Sequence, residues 1–325
     1  MSNTTLSIII LNYNCLKVIK ECLYSFEQYQ PQIDYEIIIV NNDDNYQDFN
    51  DFASHYPGVK FIQNTGNWGF SHGCNLGADN AIGGYLLFLN PDIQLTNSPA
   101  IDTMINFAQE NSNVGITSCR KINPKGNPER EISFLSPWLT IGWLRALYRL
   151  IFKQKISEKF LKDDNTWYPD WISGSVVVIE KKFFTQIGKW SQRHFWMYSE
   201  DPDLCKRARD QRKEIALLRN IELKHAHGGA SRRNPKTIAI TKSEVVTSSH
   251  VFVQIHTKGF NRVALHLIII VNTLVSWVLR VLFTLPIFWK TAFKANLFTL
   301  NAIIRYYLNV PIRKTWKSKR LITPI

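Results

Sequence analysis

The sequence lacks any paired-cysteine motif. Its 325 residues include only five cysteines, and no two of them have the CxxC spacing. An odd number without such pairs fits neither a disulfide framework nor a zinc site, so we expect a reduced, cytoplasmic compartment. The amino terminus also lacks a basic segment followed by a long apolar stretch, because the apolar run over residues 6–11 is short. No secretory signal is therefore predicted.

Acidic residues are absent from the end of the chain. The last of them is Glu244, whereas eleven lysines and arginines lie between His256 and the final residue. Since the net charge of the whole chain is +13, most of the positive excess lies in this tail. Such a tail is suited to an anionic partner, either nucleic acid or an acidic lipid surface.

The common glycine motifs for phosphate binding are missing too. The glycine-rich passage over residues 64–77 has neither the spacing of a dinucleotide fingerprint nor the Gly-Lys-Ser/Thr of a P-loop. NAD and ATP are therefore disfavoured as ligands. The glycines fit a backbone that passes close to a ligand or to a sheet, or a loop with only a structural role.

What the sequence does contain is a regular alternation of strand and helix patterns. With 45% apolar residues the chain can bury a large core. Buried strands are predicted over residues 6–11, 36–40, 59–62 and 85–89, and an amphipathic helix over 15–29. Successive strand–helix units imply a parallel sheet with right-handed crossovers. The predicted fold class is therefore α/β.

The strand over residues 85–89 ends in the polar turn Asn90-Pro91-Asp92. Pro91 has no amide hydrogen with which to continue a ladder, so Asp92 lies at the carboxyl end of a central strand. Open α/β sheets bind ligands at such strand ends, and a carboxylate there can hold a cation or a polar substrate. Capping of the turn is the alternative role for Asp92.

A second acidic cluster occupies residues 200–203, Glu200-Asp201-Pro202-Asp203. In a structural interpretation Asp201 caps a helix, Pro202 is its first residue and Asp203 complements the helix dipole. In a functional one, the helix N-terminus keeps Asp201 ionised and ready to accept a proton. The residues alone leave both interpretations open.

Several motifs, in order, resemble glycosyltransferase family 2. They are the first strand and its polar end (residues 7–14), the loop Asn67-Trp68-Gly69-Phe70, the turn Leu89-Asn90-Pro91-Asp92 and the Trp-x-Ser-Gly turn at 171–174. The third is similar to the Asp-x-Asp motif of the rhamnosyltransferase-like branch, and the resemblance covers about residues 5–232. It implies a GT-A fold, with a Rossmann-like, mostly parallel central sheet flanked by helices, here followed by a basic, apolar helical extension.

The resemblance also implies roles for individual residues. Asp201 is expected to be the catalytic base of an inverting transfer. The expected donor-binding residues are Asn12, Asn41, Asn67, Gly69, Asn90 and Asp92. The expected acceptor-binding residues are Trp171, Gly174 and Glu200. A divalent cation, Mg²⁺ or Mn²⁺, is expected at Asp92 and His225, with His227 as a second histidine candidate.

Asn41 departs from the family pattern, which commonly has an aspartate there to accept the N3 proton of uracil or thymine. An amide oxygen accepts the same hydrogen bond more weakly because it is uncharged, and Asp43 is an alternative for this role. Farther along, Arg232 and Arg233 are candidates to contact diphosphate oxygens or are simply solvated.

Two apolar segments raise the question of a membrane. Residues 137–153 are rich in Trp, Leu and Arg, so we expect an amphipathic helix packed on the core, or alternatively at a membrane interface. Residues 263–289 reach the roughly 20 apolar residues of a spanning helix only by including His266 or Arg280. We therefore expect a helix or helical pair lying in the interface, its cations facing lipid phosphates. A single spanning helix and an ordinary soluble helical domain are the alternatives. Because the tail has such a high apolar content, nucleic acid is a less favoured partner than a membrane.

The predicted organisation is a GT-A domain over residues 1–255 and a basic, membrane-associated helical region over 256–325. The donor half of the domain would be residues 1–120 and the acceptor half 121–255. The resemblance implies transfer of rhamnose from dTDP-rhamnose to a lipid-linked glycan at the cytoplasmic face of a bacterial membrane, in surface polysaccharide synthesis. The alternatives are a UDP-sugar donor (galactofuranose, glucose or N-acetylglucosamine) or a non-catalytic glycan-assembly subunit.

Overall fold

The computed structural model describes residues 4–97, 99–129, 135–152, 160, 165–226 and 234–322. Its strands are β1 (Leu6–Asn12), β2 (Tyr35–Asn41), β3 (Val59–Gln63), β4 (Tyr85–Leu89), β5 (Ile93–Gln94), β6 (Val114–Ile122), β7 (Thr166–Trp167), β8 (Val176–Glu180) and β9 (Glu214–His225). Its α-helices are α1 (Leu16–Gln28), α2 (Tyr46–Ser54), α3 (Phe70–Asp79), α4 (Ala100–Glu110), α5 (Gly142–Ile151), α6 (Lys181–Gln186), α7 (Glu200–Asp210), α8 (Pro235–His256), α9 (Gly259–Thr284) and α10 (Thr291–Arg313). Short 3₁₀ turns lie at Pro137–Thr140, Leu285–Ile287 and Lys319–Leu321.

The strands form one sheet in the order β3-β2-β1-β4-β8-β6-β9-β5, with β7 also paired to β9. The first four strands of that order are parallel, as their strand–helix alternation predicts. Beyond them β8 runs antiparallel to β4, so the sheet is mixed. The predicted α/β class is confirmed, and the parallel half brings the carboxyl ends of β1, β2 and β4 to one edge.

The core lies on both faces of the sheet, which explains the uninterrupted apolar runs of the central strands. In β1, Ile8 and Ile10 pack with residues of α1 and α4 on one face. Ile9 points to the opposite face and joins a cluster that includes residues of α3 and α7. All three isoleucines are buried. Helices cover both faces of this strand, so its polar end is the part left for a ligand.

The expectation that residues 137–153 pack on the core is confirmed only for a small part of the segment. Residues 137–151 form a 3₁₀ turn followed by α5. No residue of α5 is buried, but Trp138 and Leu144 pack against a small cluster around Ile141. Trp143 and Leu150 are exposed, and only the preceding Ile141 is buried, against Val253 and Leu265.

The helical extension is present as predicted. Helix α8 packs against α10, and the predicted boundary between residues 255 and 256 lies at the end of α8. The indole of Trp316 stacks on the imidazoles of His250 and His266, at centroid distances of 4.4 and 4.3 Å. This stack holds the last segment of the chain on α8 and α9.

One helix in the described part of the chain is long and apolar enough to cross a membrane. It comprises Gly259–Ile287, 29 residues, and its most apolar window has a mean hydropathy of 2.1 with 11% of the window buried. Its buried face includes Leu265 and Ile269, whereas Leu267 and Val271 are exposed. An unusual amount of apolar surface thus faces outward.

Candidate active site

Amide side chains tie together the carboxyl ends of β1, β2 and β3. Asn12 Nδ2 donates to Asn41 Oδ1 at 2.6 Å, and Asn41 Nδ2 donates to Gln63 Oε1 at 2.8 Å. Both asparagines are buried. An aspartate at position 41 could accept the first bond but could not donate the second. This arrangement gives a structural reason for Asn41, while donor binding by Asn12 and Asn41 stays a prediction.

The loop that leads into α3 is fixed to Trp196. The amide of Phe70 donates to Trp196 O at 2.9 Å, and Trp196 Nε1 donates to Asn67 O at 3.1 Å. Gly69 has a φ of +89°, and a Cβ placed there would lie 2.0 Å from Trp196 O. Its carbonyl accepts a hydrogen bond from Asn42 Nδ2 at 3.0 Å. Glycine is therefore required by both conformation and space.

The backbone before α7 has an uncommon conformation. Tyr198 and Ser199 are consecutive non-glycine residues with φ of 70° and 63°. Each left-handed residue costs about 1–2 kcal/mol, and such strain tends to cluster at functional sites. Ser199 takes the N-cap position and Glu200 is the first helical residue. The expected capping by Asp201 is therefore wrong, because the left-handed turn starts the helix two residues earlier.

The two carboxyl groups at the start of α7 form a coupled acidic pair. Asp201 Oδ2 accepts a hydrogen bond from the Gly174 amide at 3.2 Å. Glu200 is buried, and no described residue hydrogen-bonds its Oε2. Burial raises the pKa of Asp201 to about 6, and burial together with the Asp201 charge raises the pKa of Glu200 to about 8. The two carboxyl groups therefore titrate together, and near neutral pH the pair shares one negative charge.

This pair lines a cavity of about 300 Å³ at the carboxyl edge of the parallel strands. Among the predicted site residues, the cavity is lined by Asn67, Gly69, Asn90, Gly174, Glu200 and Asp201. Trp171 packs against the core cluster that includes residues of α7 and is not among the lining residues. Ser173, the serine of the Trp-x-Ser-Gly turn, also lines it, although no role was predicted for this residue. Sequence reasoning missed three other lining residues, Asn42, Ser175 and Tyr198. These three are recognisable only from the fold.

A second polar cluster lies where β5 pairs with β9. The register places Ile93 opposite His225, which brings the neighbouring Asp92 to the histidine. His225 Nε2 lies 3.3 Å from Asp92 Oδ1, and its Nδ1 lies 2.6 Å from Glu129 Oε1. Burial alone would lower the pKa of His225, but the contacts with Asp92 and Glu129 outweigh burial and raise it to about 9.

The Asp92–His225 pair has the donor chemistry of a divalent cation site. Carboxylate oxygen and imidazole nitrogen are common ligands, and an imidazole whose far nitrogen faces a carboxylate is a usual outer-sphere arrangement. Glu129, which sequence reasoning missed, supplies that carboxylate. Nowhere in the described chain do three His, Cys, Asp or Glu side chains form a complete metal cluster. His227, Arg232 and Arg233 lie outside the described residues.

Asp203, the third acid of the motif, joins α7 to α8. It is 1% exposed and accepts hydrogen bonds from Ser191 Oγ at 2.6 Å, Arg207 Nε at 3.0 Å and His256 Nε2 at 2.8 Å. Burial opposes ionisation, but His256, Arg207 and Ser191 lower the pKa of Asp203 overall. Its role is to hold the helical extension against the acidic helix.

A polar cavity at the carboxyl ends of parallel strands, in a sheet flanked by helices, defines a ligand-binding α/β domain. Within that class one family model matches. Residues 7–159, a little under half of the chain, match the family described as Glycosyl transferase family 2. This match agrees with the family resemblance of the sequence motifs, and it does not distinguish a rhamnosyltransferase branch.

A curated relative is also similar in sequence. The low-salt glycan biosynthesis hexosyltransferase Agl10 of Haloferax volcanii is 30% identical over 226 residues, which cover 68% of this chain and 66% of the relative. This chain therefore spans a little less than two thirds of that relative's length.

Solved structures show the fold. The mannosyltransferase PcManGT from Pyrobaculum calidifontis, solved with GDP-Man and Mn²⁺, has a TM-score of 0.57 at 12% identity over 97% of this chain and 89% of its own. GalNAc-T7, solved with UDP, GalNAc and Mn²⁺, has a TM-score of 0.55 at 12% identity over 77% of this chain and 51% of its own. These similarities confirm the GT-A-like α/β architecture.

Proposed function

We propose that this protein is an inverting glycosyltransferase that moves a hexosyl unit from a nucleoside diphosphate donor to a hydroxyl group of a glycan. The observation that carries the proposal is the acidic pair in the cavity. Asp201 is partly buried and accepts a hydrogen bond from the Gly174 amide. It lies next to the carboxyl group of Glu200, whose pKa is raised to about 8. The family match over residues 7–159 supports the reaction class.

The reaction requires this site to remove the proton of the acceptor hydroxyl group. The acceptor oxygen forms a bond to the anomeric carbon while the bond from that carbon to the diphosphate oxygen breaks. Asp201 takes the hydroxyl proton, and the nucleoside diphosphate leaves with the electron pair. Attack opposite the leaving group inverts the configuration. A carboxylate with a pKa of about 6 is well matched to this role near neutral pH.

The negative charge on the diphosphate also has to be compensated. Asp92 and His225 Nε2 would hold a divalent cation, Mg²⁺ or Mn²⁺, and Glu129 would orient the imidazole from its other side. Such a cation acts as a Lewis acid toward phosphate oxygens. The Mn²⁺ in PcManGT and GalNAc-T7 supports this part of the proposal.

The proposed donor is dTDP-rhamnose. It rests on the similarity of Leu89-Asn90-Pro91-Asp92 to the rhamnosyltransferase-like motif. A UDP-linked hexose is the second candidate, favoured by the hexosyltransferase Agl10 and by the UDP bound to GalNAc-T7.

The proposed acceptor is a lipid-linked glycan at the cytoplasmic face of the cell membrane. Residues 256–325 would attach the protein there, peripherally or by one span. Two observations support this location: the exposed apolar residues of α9 and the absence of acidic residues after Glu244. Cations near an anionic bilayer each add about 1 kcal/mol of attraction.

The test is donor binding by calorimetry with Mg²⁺ or Mn²⁺. The donors are dTDP-rhamnose, UDP-galactose, UDP-glucose, UDP-N-acetylglucosamine and GDP-mannose. We expect one donor to bind in a metal-dependent way. Asp201→Asn should keep that binding and lose about 10²–10⁴-fold in transfer rate. The control Asp210→Asn removes an exposed carboxylate from the same helix and should transfer normally. If no donor binds, the protein is a non-catalytic subunit; if Asp201→Asn transfers normally, Asp201 is not the base.

A further inference from the structure

The described chain contains a second, larger cavity, remote in sequence from the motifs of the active site. It has a volume of about 710 Å³ and lies between α8, α10 and the 3₁₀ turn at Lys319–Leu321. Donor, acceptor and cation all have their proposed places elsewhere, so the function proposed above does not require this cavity.

The charge of its lining is strongly unbalanced. Five cations line it, namely Lys236, Arg305, Arg313, Lys319 and Arg320, against a single carboxylate, Glu244. Glu244 is buried and already accepts hydrogen bonds from Ser318 Oγ, at 2.9 Å, and from Arg320 Nη1. One positive charge is thus matched inside the protein, and the remaining cations have no acidic partner in the lining.

Two guanidinium nitrogens in this lining lack the partners that buried donors normally have. Arg313 Nη2 and Arg320 Nε are both buried, and no residue of the described chain hydrogen-bonds either of them. Buried polar groups are nearly always paired, and an unpaired one calls for an explanation. An oxyanion in the cavity would supply the missing acceptors, since arginine is well suited to phosphate.

The lining also contains apolar side chains. Ala239 and Ile240 of α8 and Phe298 and Ala302 of α10 belong to it. These apolar residues would not stabilise a free inorganic anion. A phosphate attached to a hydrocarbon, in contrast, would bury part of the hydrocarbon against them. Helix α10 also exposes Leu308, which is 66% exposed, so apolar surface continues along the helix outside the cavity.

From these observations we infer that the cavity between α8 and α10 is a binding site for the phosphate head of an anionic membrane lipid. Arg313 and Arg320 contact the phosphate oxygens, and Phe298 and Ala302 contact the start of the hydrocarbon part. The inference deepens the proposed membrane attachment of residues 256–325, but it does not depend on sugar transfer.

The test uses the full-length protein and vesicles of phosphatidylcholine, with or without phosphatidylglycerol. Arg313→Gln should weaken binding to the phosphatidylglycerol vesicles about tenfold more than Lys294→Gln does, because it also removes a buried charge-assisted contact. Lys294 is an exposed cation of α10 outside the lining, so it controls for general electrostatic attraction. Equal losses in the two variants would overturn the inference.

A second variant changes the shape of the cavity and leaves its charge intact. Ala302→Phe fills part of the cavity and should weaken vesicle binding several-fold, with thermal unfolding used to verify that the variant is folded. If neither Ala302→Phe nor Arg313→Gln affects vesicle binding, the inference is wrong. Calorimetry with inorganic phosphate tests whether the ligand is a soluble anion instead of a lipid. Tight binding of phosphate, together with vesicle binding that neither substitution changes, would assign the cavity to a soluble anion.

Nucleotide-sugar binding is measured on the same preparations. We expect both variants to bind the donor as the wild type does, because neither substituted residue lines the active-site cavity. Failure of lipid binding and failure of the proposed transferase function can therefore be told apart.

Discussion

Single residues decide the protonation of the acidic pair, and this leads to a pH prediction. Asp201 must be ionised to accept a proton, and its pKa is raised from 3.8 to about 6. The transfer rate should therefore fall about tenfold per pH unit below pH 6. Glu200→Gln should keep this acid limb, because burial is the main cause of the shift. The measurement is kcat/KM from pH 4 to 9. An acid limb near pH 4 would show that Asp201 is not desolvated.

The limits of sequence reasoning are clear at this scale. The position of Asp92 at the end of a strand could be predicted from the local pattern, whereas the role expected of Asp201 came only from the family resemblance, because the local pattern also fits a helix cap. Glu129 could not be predicted, because only the tertiary pairing of β5 with β9 and the loop after β6 bring it to His225. The left-handed pair Tyr198 and Ser199 is equally invisible, since neither residue type favours that conformation.

At the scale of elements, the loop before α3 offers a test of whether its close contact with Trp196 is needed for donor binding. Gly69→Ala should lower donor affinity at least about tenfold, because a methyl group cannot fit 2.0 Å from the Trp196 carbonyl oxygen and the loop has to move. Gly126→Ala is the matched control: its φ is +77°, but no atom lies within 4 Å of the added carbon. It should cost only about 1–2 kcal/mol of stability, from the backbone alone.

Donor calorimetry and thermal unfolding of both glycine variants distinguish the two effects. Donor binding should be normal in Gly126→Ala and weak in Gly69→Ala. If the two variants behaved alike, backbone strain alone would account for both, and the contact with Trp196 would be unimportant.

The central strands were predictable as elements because helices cover them on both faces, which leaves a continuous apolar run in the sequence. The packing of helix α5 was harder to predict, because most of this helix is exposed. Its pattern is that of an amphipathic helix, but the pattern does not state what the apolar face contacts. Its exposed Trp143 and Leu150 show that a good helical pattern does not by itself imply packing on the core.

For the whole molecule, we expect the outward face of α9 to determine how the protein distributes between membrane and solution. Leu267, Val271 and Val275 are exposed by 58%, 61% and 53%. Replacing all three with glutamine should move most of the protein from the membrane pellet to the supernatant on sedimentation, because their apolar contact with lipid is lost. Val245→Gln, on the exposed side of α8, is the control and should leave the distribution unchanged. Continued sedimentation of the triple variant would place the attachment elsewhere, with α5 the next segment to test.

The side chain of Trp196 contacts two distant parts of the chain. Its indole nitrogen donates to Asn67 O, and the Arg320 guanidinium lies over its ring with 5.3 Å between the guanidinium carbon and the ring centroid. Contacts that close long loops carry a high entropic cost and tend to form late in folding. During synthesis, the second of these contacts cannot exist until residue 320 has emerged from the ribosome. The loop beside the candidate active-site cavity therefore gains its last support only after almost the whole chain has been translated.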